Sequence, residues 1–124
     1  MPRLKILVVD DIAEITEFLK EMLEPDHEVH TENDALEAKR LCESRRFDLV
    51  ITDYSMPHLN GLGLMQAVLR TSPGTRFAFL TGFTDPESLA RSSPPEVLIL
   101  QKPLRWSRLK EMLETMPGTE PCPC

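Results

Sequence analysis

The chain has 124 residues, 41% of them apolar and 27% charged, which suits one ordinary domain with a single sizeable core. Its formal net charge of −6 argues against direct binding to nucleic acid or to an anionic membrane, since both want a basic face. The N-terminal apolar run is too short for a signal peptide, and no window approaches the roughly 20 apolar residues of a membrane span. The expected compartment is the cytoplasm.

Short apolar runs alternate with helical patterns along the chain. "KILVV" (Lys5 to Val9) predicts a first strand, followed by Asp10-Asp11. Ile15, Phe18, Leu19, Met22 and Leu23 then follow the i, i+3, i+4, i+7, i+8 stripe of an amphipathic helix. "HEVHT" (His27 to Thr31) is a more polar strand that suits a sheet edge. Ala35, Ala38, Leu41 and Cys42 mark a second helix with Asn33 or Asp34 as its N-cap, and Cys42 is expected to be a buried, inert thiol on its apolar face.

"DLVIT" (Asp48 to Thr52) is the third strand and runs into Asp53. Met65, Val68 and Leu69 mark a third helix that Ser72-Pro73-Gly74 ends. "RFAFLT" (Arg76 to Thr81) is the fourth strand, and "TDPESLARSS" after it begins like a helix, with Thr84 or Asp85 as cap and Pro86 in the first turn. "VLIL" (Val97 to Leu100) is the fifth strand, and Leu109, Met112, Leu113 and Met116 mark the last helix. Four of the five runs are nearly continuous, as strands buried on both faces should be. Strands each followed by a helix imply parallel pairing through right-handed crossovers, hence an α/β doubly wound sheet.

In such a sheet the functional crevice lies at the carboxyl ends of the strands. Those ends carry Asp10-Asp11, Asp53, Thr81-Gly82 and Lys102-Pro103. With strand order 2-1-3-4-5 they converge on one spot. Carboxylates about 4 Å apart repel by about 4 kcal/mol at an effective dielectric near 20, so the cluster calls for a cation or a proton. Lys102 supplies one positive charge, and a hard divalent cation such as Mg²⁺ (or Mn²⁺) would supply the rest.

This set suits phosphoryl transfer, which needs an in-line nucleophile and positive charge around the equatorial oxygens. Asp53 can be the nucleophile. Asp11 would hold the metal directly and Asp10 through water, with the backbone carbonyl of Ser55 as a further ligand. Thr81 would offer its hydroxyl and Lys102 its ammonium to the phosphoryl oxygens, and Gly82 leaves room for the group. Singly, each residue has a plainer reading: Asp11 could cap the helix beginning near Ile12, Thr81 could reflect β-propensity, and Lys102 could be a solvated loop lysine. Together, on four strand ends of one sheet, they are harder to dismiss.

With these residues at its strand ends, the sequence resembles the receiver domain of two-component response regulators. "ILVVDD", "DLVITDYSMPHLNG", "FAFLTG" and "LQKP" stand in that family's order and near its spacing. The resemblance covers residues 4 to about 116, leaving 117–124 as a disordered tail rich in proline and cysteine. It implies a flavodoxin-like (βα)5 fold with five helices. It also implies that Asp53 takes a phosphoryl group from a sensor histidine kinase or a histidine phosphotransfer protein, that Asp10 and Asp11 are the acidic pair for Mg²⁺, and that Thr81 and Lys102 contact the phosphate. Such a domain signals to an output partner or attached domain and is not a conventional turnover enzyme.

Departures from the family pattern carry information too. Three positions before Lys102, where the family often has Tyr or Phe, stands Ile99. Ser55 and Phe83, two residues beyond Asp53 and Thr81, are expected to set the lifetime of the phosphoryl group, and Pro94-Pro95 to stiffen the approach to the fifth strand. A receiver-like docking module that works without phosphorylation would be expected to have lost the acidic pair, the acceptor or the lysine, and none is lost. A haloacid-dehalogenase-type phosphatase wants two aspartates separated by one residue, whereas "VVDDI" has them adjacent, and no Gly-rich loop follows "ILVVD" for a dinucleotide. Cys122 and Cys124 have no histidine or further cysteine near them in the sequence and make a weak metal signal.

Overall fold

The computed structural model describes residues 4–54, 61–81, 98–101 and 106–115. The described strands are β1 (Lys5–Val9), β2 (Glu28–Glu32), β3 (Leu49–Asp53), β4 (Arg76–Thr81) and β5 (Leu98–Gln101). They form one sheet in the order β2-β1-β3-β4-β5, with every neighbouring pair parallel. The described helices are α1 (Ala13–Leu23), α2 (Ala35–Ser44), α3 (Gly61–Thr71) and α4 (Trp106–Thr115). The helix expected over "TDPESLARSS" lies outside the described residues, as do Pro94-Pro95 and the tail with Cys122 and Cys124.

The period of two along each strand divides the interior into two cores. Ile6, Val8, Leu49, Ile51, Ala78, Leu80 and Leu100 face one side, where Leu19 and Leu23 of α1 and Leu109 and Leu113 of α4 cover them. Leu7, Val9, Val50, Phe77 and Phe79 face the other, against Ala38 and Cys42 of α2 and Leu64, Met65 and Val68 of α3. Because both faces are covered, the central strands must be apolar at consecutive positions, and that is why they read as continuous runs. Edge strand β2 is only half-buried apart from Val29, which explains its polar character.

Helix termini follow local chemistry. Asp34, not Asn33, caps α2: its carboxylate accepts from the N–H groups of Leu36 (2.7 Å) and Glu37 (3.3 Å). α3 ends at Thr71, and the Ser72 N–H still reaches the Val68 carbonyl at 2.8 Å before Pro73 and Gly74 turn the chain into β4. Burial pushes the Cys42 thiol up to about 11, helped by the nearby Glu43 charge, as befits an inert core cysteine.

Two sequence expectations, and the plainer reading of Asp11 as a helix cap, need correction. Phe18, read as part of the α1 core stripe, is 48% exposed, because Leu19 and Leu23 carry the buried face and Phe18 lies on its flank. Asp11 does not cap α1; the N-cap position is Ile12, in extended conformation, and no side-chain hydrogen bond caps it. β2 starts at Glu28 rather than His27, since the His27 N–H still bonds to the Leu23 carbonyl at the end of α1. The His27 ring is buried instead, with Nδ1 accepting the N–H of Leu4 at 3.1 Å.

Candidate functional site

The carboxyl ends of β1 and β3 lie side by side, because the ladder pairs Val8 with Ile51 and Val9 with Thr52. Asp10 continues the alternation of Ile6 and Val8, and Asp53 that of Leu49 and Ile51, so both fall on the sheet face of α1 and α4. The structure brings Asp10, Asp11 and Asp53 together: each offers a carboxylate oxygen, and these lie within 4.8 Å of one another. Asp10 is fully buried and Asp53 only 6% exposed, while Asp11 faces solvent.

Backbone hydrogen bonds hold this corner. The Asp10 N–H donates to the Glu32 carbonyl at 3.2 Å, and the N–H of Ile12 donates to Asp10 Oδ1 at 2.9 Å. Asn33 donates from Nδ2 to the Asp10 carbonyl at 2.8 Å and to Thr16 Oγ1 at 3.1 Å, and the Thr16 hydroxyl donates to the Ala13 carbonyl at 2.9 Å. One amide thus ties the ends of β2 and β1 to the first turn of α1. On the other side, the Tyr54 N–H donates to the Leu80 carbonyl at 2.9 Å, which keeps β3 and β4 in register past Asp53.

Thr81 ends β4 and is 2% exposed; its neighbour Leu80 is the residue that pairs with Asp53 across the ladder. Ser55, Gly82, Phe83 and Lys102 lie outside the described residues. Sequence reasoning missed Asn33 as a positioning group and read it only as a possible cap. The sequence places an amide directly after an edge strand, but its reach to the Asp10 carbonyl depends on the register of β2 with β1.

Between Asp10 and Asp53 alone, two charges at the 4.8 Å limit repel by about 3–4 kcal/mol at an effective dielectric of about 20. The donor set is all carboxylate oxygen, partly buried and open at Asp11. Such hard ligands fit an oxygen-loving divalent cation such as Mg²⁺ or Mn²⁺. Among the described residues no helix is long and apolar enough to cross a membrane.

A family model for the response regulator receiver domain matches residues 6–114. The chain is 30% identical over 118 residues to the response regulator receiver protein CpdR of Brucella abortus, covering 90% of this chain and 95% of that protein. It is 35% identical over 117 residues to the sensor histidine kinase AruS of Pseudomonas aeruginosa, where the match covers 89% of this chain but only 12% of the kinase. Among solved structures, the signal receiver domain of an HD domain-containing protein from Pseudomonas fluorescens Pf-5 superposes with a TM-score of 0.81 at 31% identity, covering 92% of this chain and 94% of that one. Chemotaxis protein CheY4 of Vibrio cholerae gives a TM-score of 0.81 at 30% identity, covering 92% and 98%.

Proposed function

The chain belongs to the response regulator receiver family of two-component signalling, and from that premise we propose that Asp53 is its phosphoacceptor. The observation that carries the reading is the gathering of Asp10, Asp11 and Asp53 at the end of the central strands. Two buried carboxylates, with a third at the rim, would be costly unpaired and are sensible where a cation and a phosphoryl group are handled.

In the proposed reaction an Asp53 carboxylate oxygen attacks the phosphorus of a partner's phosphohistidine in line. The O–P bond forms as the P–N bond breaks, and the imidazole departs with the electron pair. Asp11 and Asp53, whose carboxylate oxygens lie together with that of Asp10, would hold Mg²⁺ (or Mn²⁺) with the Ser55 carbonyl, and Asp10 would act on it through water. When bound, that metal supplies positive charge to the phosphoryl oxygens. The burial of Asp10 and Asp53 keeps their charges poorly solvated, and the Ile12 N–H fixes Asp10 Oδ1. The Thr81 hydroxyl and the Lys102 ammonium are assigned to the remaining phosphoryl oxygens, and Ser55 and Phe83 to the control of water access.

Metal dependence is the first test. Incubated with acetyl phosphate and Mg²⁺, the protein gains a phosphoryl group; with the metal chelated, incorporation falls to background. Undiminished labelling in the chelator, followed by intact mass, contradicts the assignment of Asp10 and Asp11.

The donor is assigned to a sensor histidine kinase or a histidine phosphotransfer protein, which must approach past the exposed rim of the site. Ile12, next to Asp11, is 48% exposed, and Phe18 on α1 equally so. Exposed apolar side chains, one next to Asp11 and one farther along α1, suit contact with a protein better than with a small molecule. Replacing both by alanine is expected to slow transfer from the protein donor at least about tenfold, equivalent to about 1.4 kcal/mol of transition-state binding. Labelling by acetyl phosphate should stay within twofold in the same variant. Equal loss with both donors would place the defect in the site and not in docking.

A further inference from the structure

On the opposite face of the sheet from Asp53 lies a connected row of rings and aliphatic groups that the proposed chemistry does not use. Tyr54 follows Asp53 directly, and the strand alternation sets it on the face of Val50, with α2 and α3. Its ring is half-buried and packs on Phe79 at a centroid distance of 5.4 Å and an interplanar angle of 59°. Phe79 is fully buried and sits in register between Thr52 of β3 and Ile99 of β5. Ile99, also half-buried, belongs to the same cluster.

Thr81 lies two residues beyond Phe79 on β4, and the pairing of Asp53 with Leu80 brings Thr81 level with Tyr54. Tyr54 is therefore bonded to the acceptor on one side and adjoins the β4 end on the other. Any displacement at the end of β3 or β4 must be taken up by a side chain with somewhere to go. Phe79 has no free surface, whereas the Tyr54 ring is partly open to solvent. Close-packed interiors pass such a displacement to the next side chain rather than dissipating it.

We propose that Tyr54 is a positioning residue that couples the state of Asp53 to β5: its ring reorients when Asp53 is phosphorylated, and the movement passes across Phe79 to Ile99. The inference rests on the reading of Asp53 as phosphoacceptor. It assigns the coupling to a side chain adjoining the acceptor itself, on β3, and it places the first outward effect on β5 and hence on the approach to α4.

Tyr54 is the only tyrosine in the chain, so uniform 3-fluorotyrosine labelling gives a single ¹⁹F resonance in an otherwise unchanged protein. On full phosphorylation with acetyl phosphate and Mg²⁺, checked by intact mass, that resonance is expected to shift by more than its linewidth. The ¹³C-labelled δ1 methyl signal of Ile99 should shift with it, in the wild type and in Tyr54→Phe, which keeps the ring. In Tyr54→Leu the mass should still increase by one phosphoryl group while the Ile99 shift falls to less than half. A stationary ¹⁹F signal in phosphorylated protein overturns the coupling, and it does so without any variant having to fold. An Ile99 shift of full size in Tyr54→Leu overturns it as well. Failure of the wild type to gain mass removes the premise about Asp53 and the inference with it, and the mass spectrum distinguishes that case from the other two.

Discussion

Asp10→Asn is expected to make the metal-free protein more stable and a poorer phosphoacceptor at once. The asparagine keeps an Oδ1 that can accept the Ile12 N–H now bonded at 2.9 Å, and the backbone carbonyl held by Asn33 is untouched. What disappears is a buried negative charge within 4.8 Å of Asp53. Part of the repulsion of about 3–4 kcal/mol is relieved in reality by water and by adjustment of the groups, so a gain of about 1–3 kcal/mol in the urea-unfolding free energy without metal is the expected result. Added Mg²⁺ at about 100 times its dissociation constant should stabilise the wild type by about 2.7 kcal/mol and the variant much less. A carboxylate acting through a bound water costs about 10–100-fold in metal affinity when removed, so phosphoryl incorporation at limiting Mg²⁺ should fall by a similar factor. A variant that loses stability without metal, or that retains the full response to Mg²⁺, contradicts the electrostatic account of the site.

Phe79→Ala should be the most damaging of single core truncations on the α2–α3 face. The ring is fully buried, flanked in the ladder by Thr52 and Ile99 and packed against Tyr54. Removing a buried phenyl group costs about 3–5 kcal/mol, against a total stability of about 5–15 kcal/mol for ordinary domains. Phe18→Ala provides the internal control. That ring is 48% exposed, so its loss should cost under about 1 kcal/mol despite the identical chemistry. Urea midpoints for the two variants should therefore differ widely; similar midpoints would contradict the placement of either ring.

Phe18 also shows where the sequence stops being legible. The 3.6-residue period locates the centre of the α1 stripe but not its width, and whether a flanking residue is covered depends on what packs beside the helix. Strand composition was far more telling, because a central parallel strand must be apolar on both faces; β1, β3 and β4 announced themselves, and polar β2 its edge position. Asp10 and Asp53 were legible as a pair because parallel topology puts strand ends together whatever the loops do. Asn33 was not, since its bond to the Asp10 carbonyl depends on β2 ending level with β1, a matter of register. The ring of Tyr54 was hidden in the same way: alternation sets it on the face opposite Asp53, and only the fold shows that it packs on Phe79.

The measurement that bears most directly on the central claim is intact mass after incubation with acetyl phosphate and Mg²⁺, run on the wild type and on Asp53→Ala. Asp53 is nearly buried at the end of β3 and lies within reach of both other carboxylates. The wild type should gain one phosphoryl group and Asp53→Ala none. Equal incorporation in both proteins, or none in the wild type with this donor or with a phosphorylated histidine kinase, would contradict the assignment of Asp53 as the phosphoacceptor.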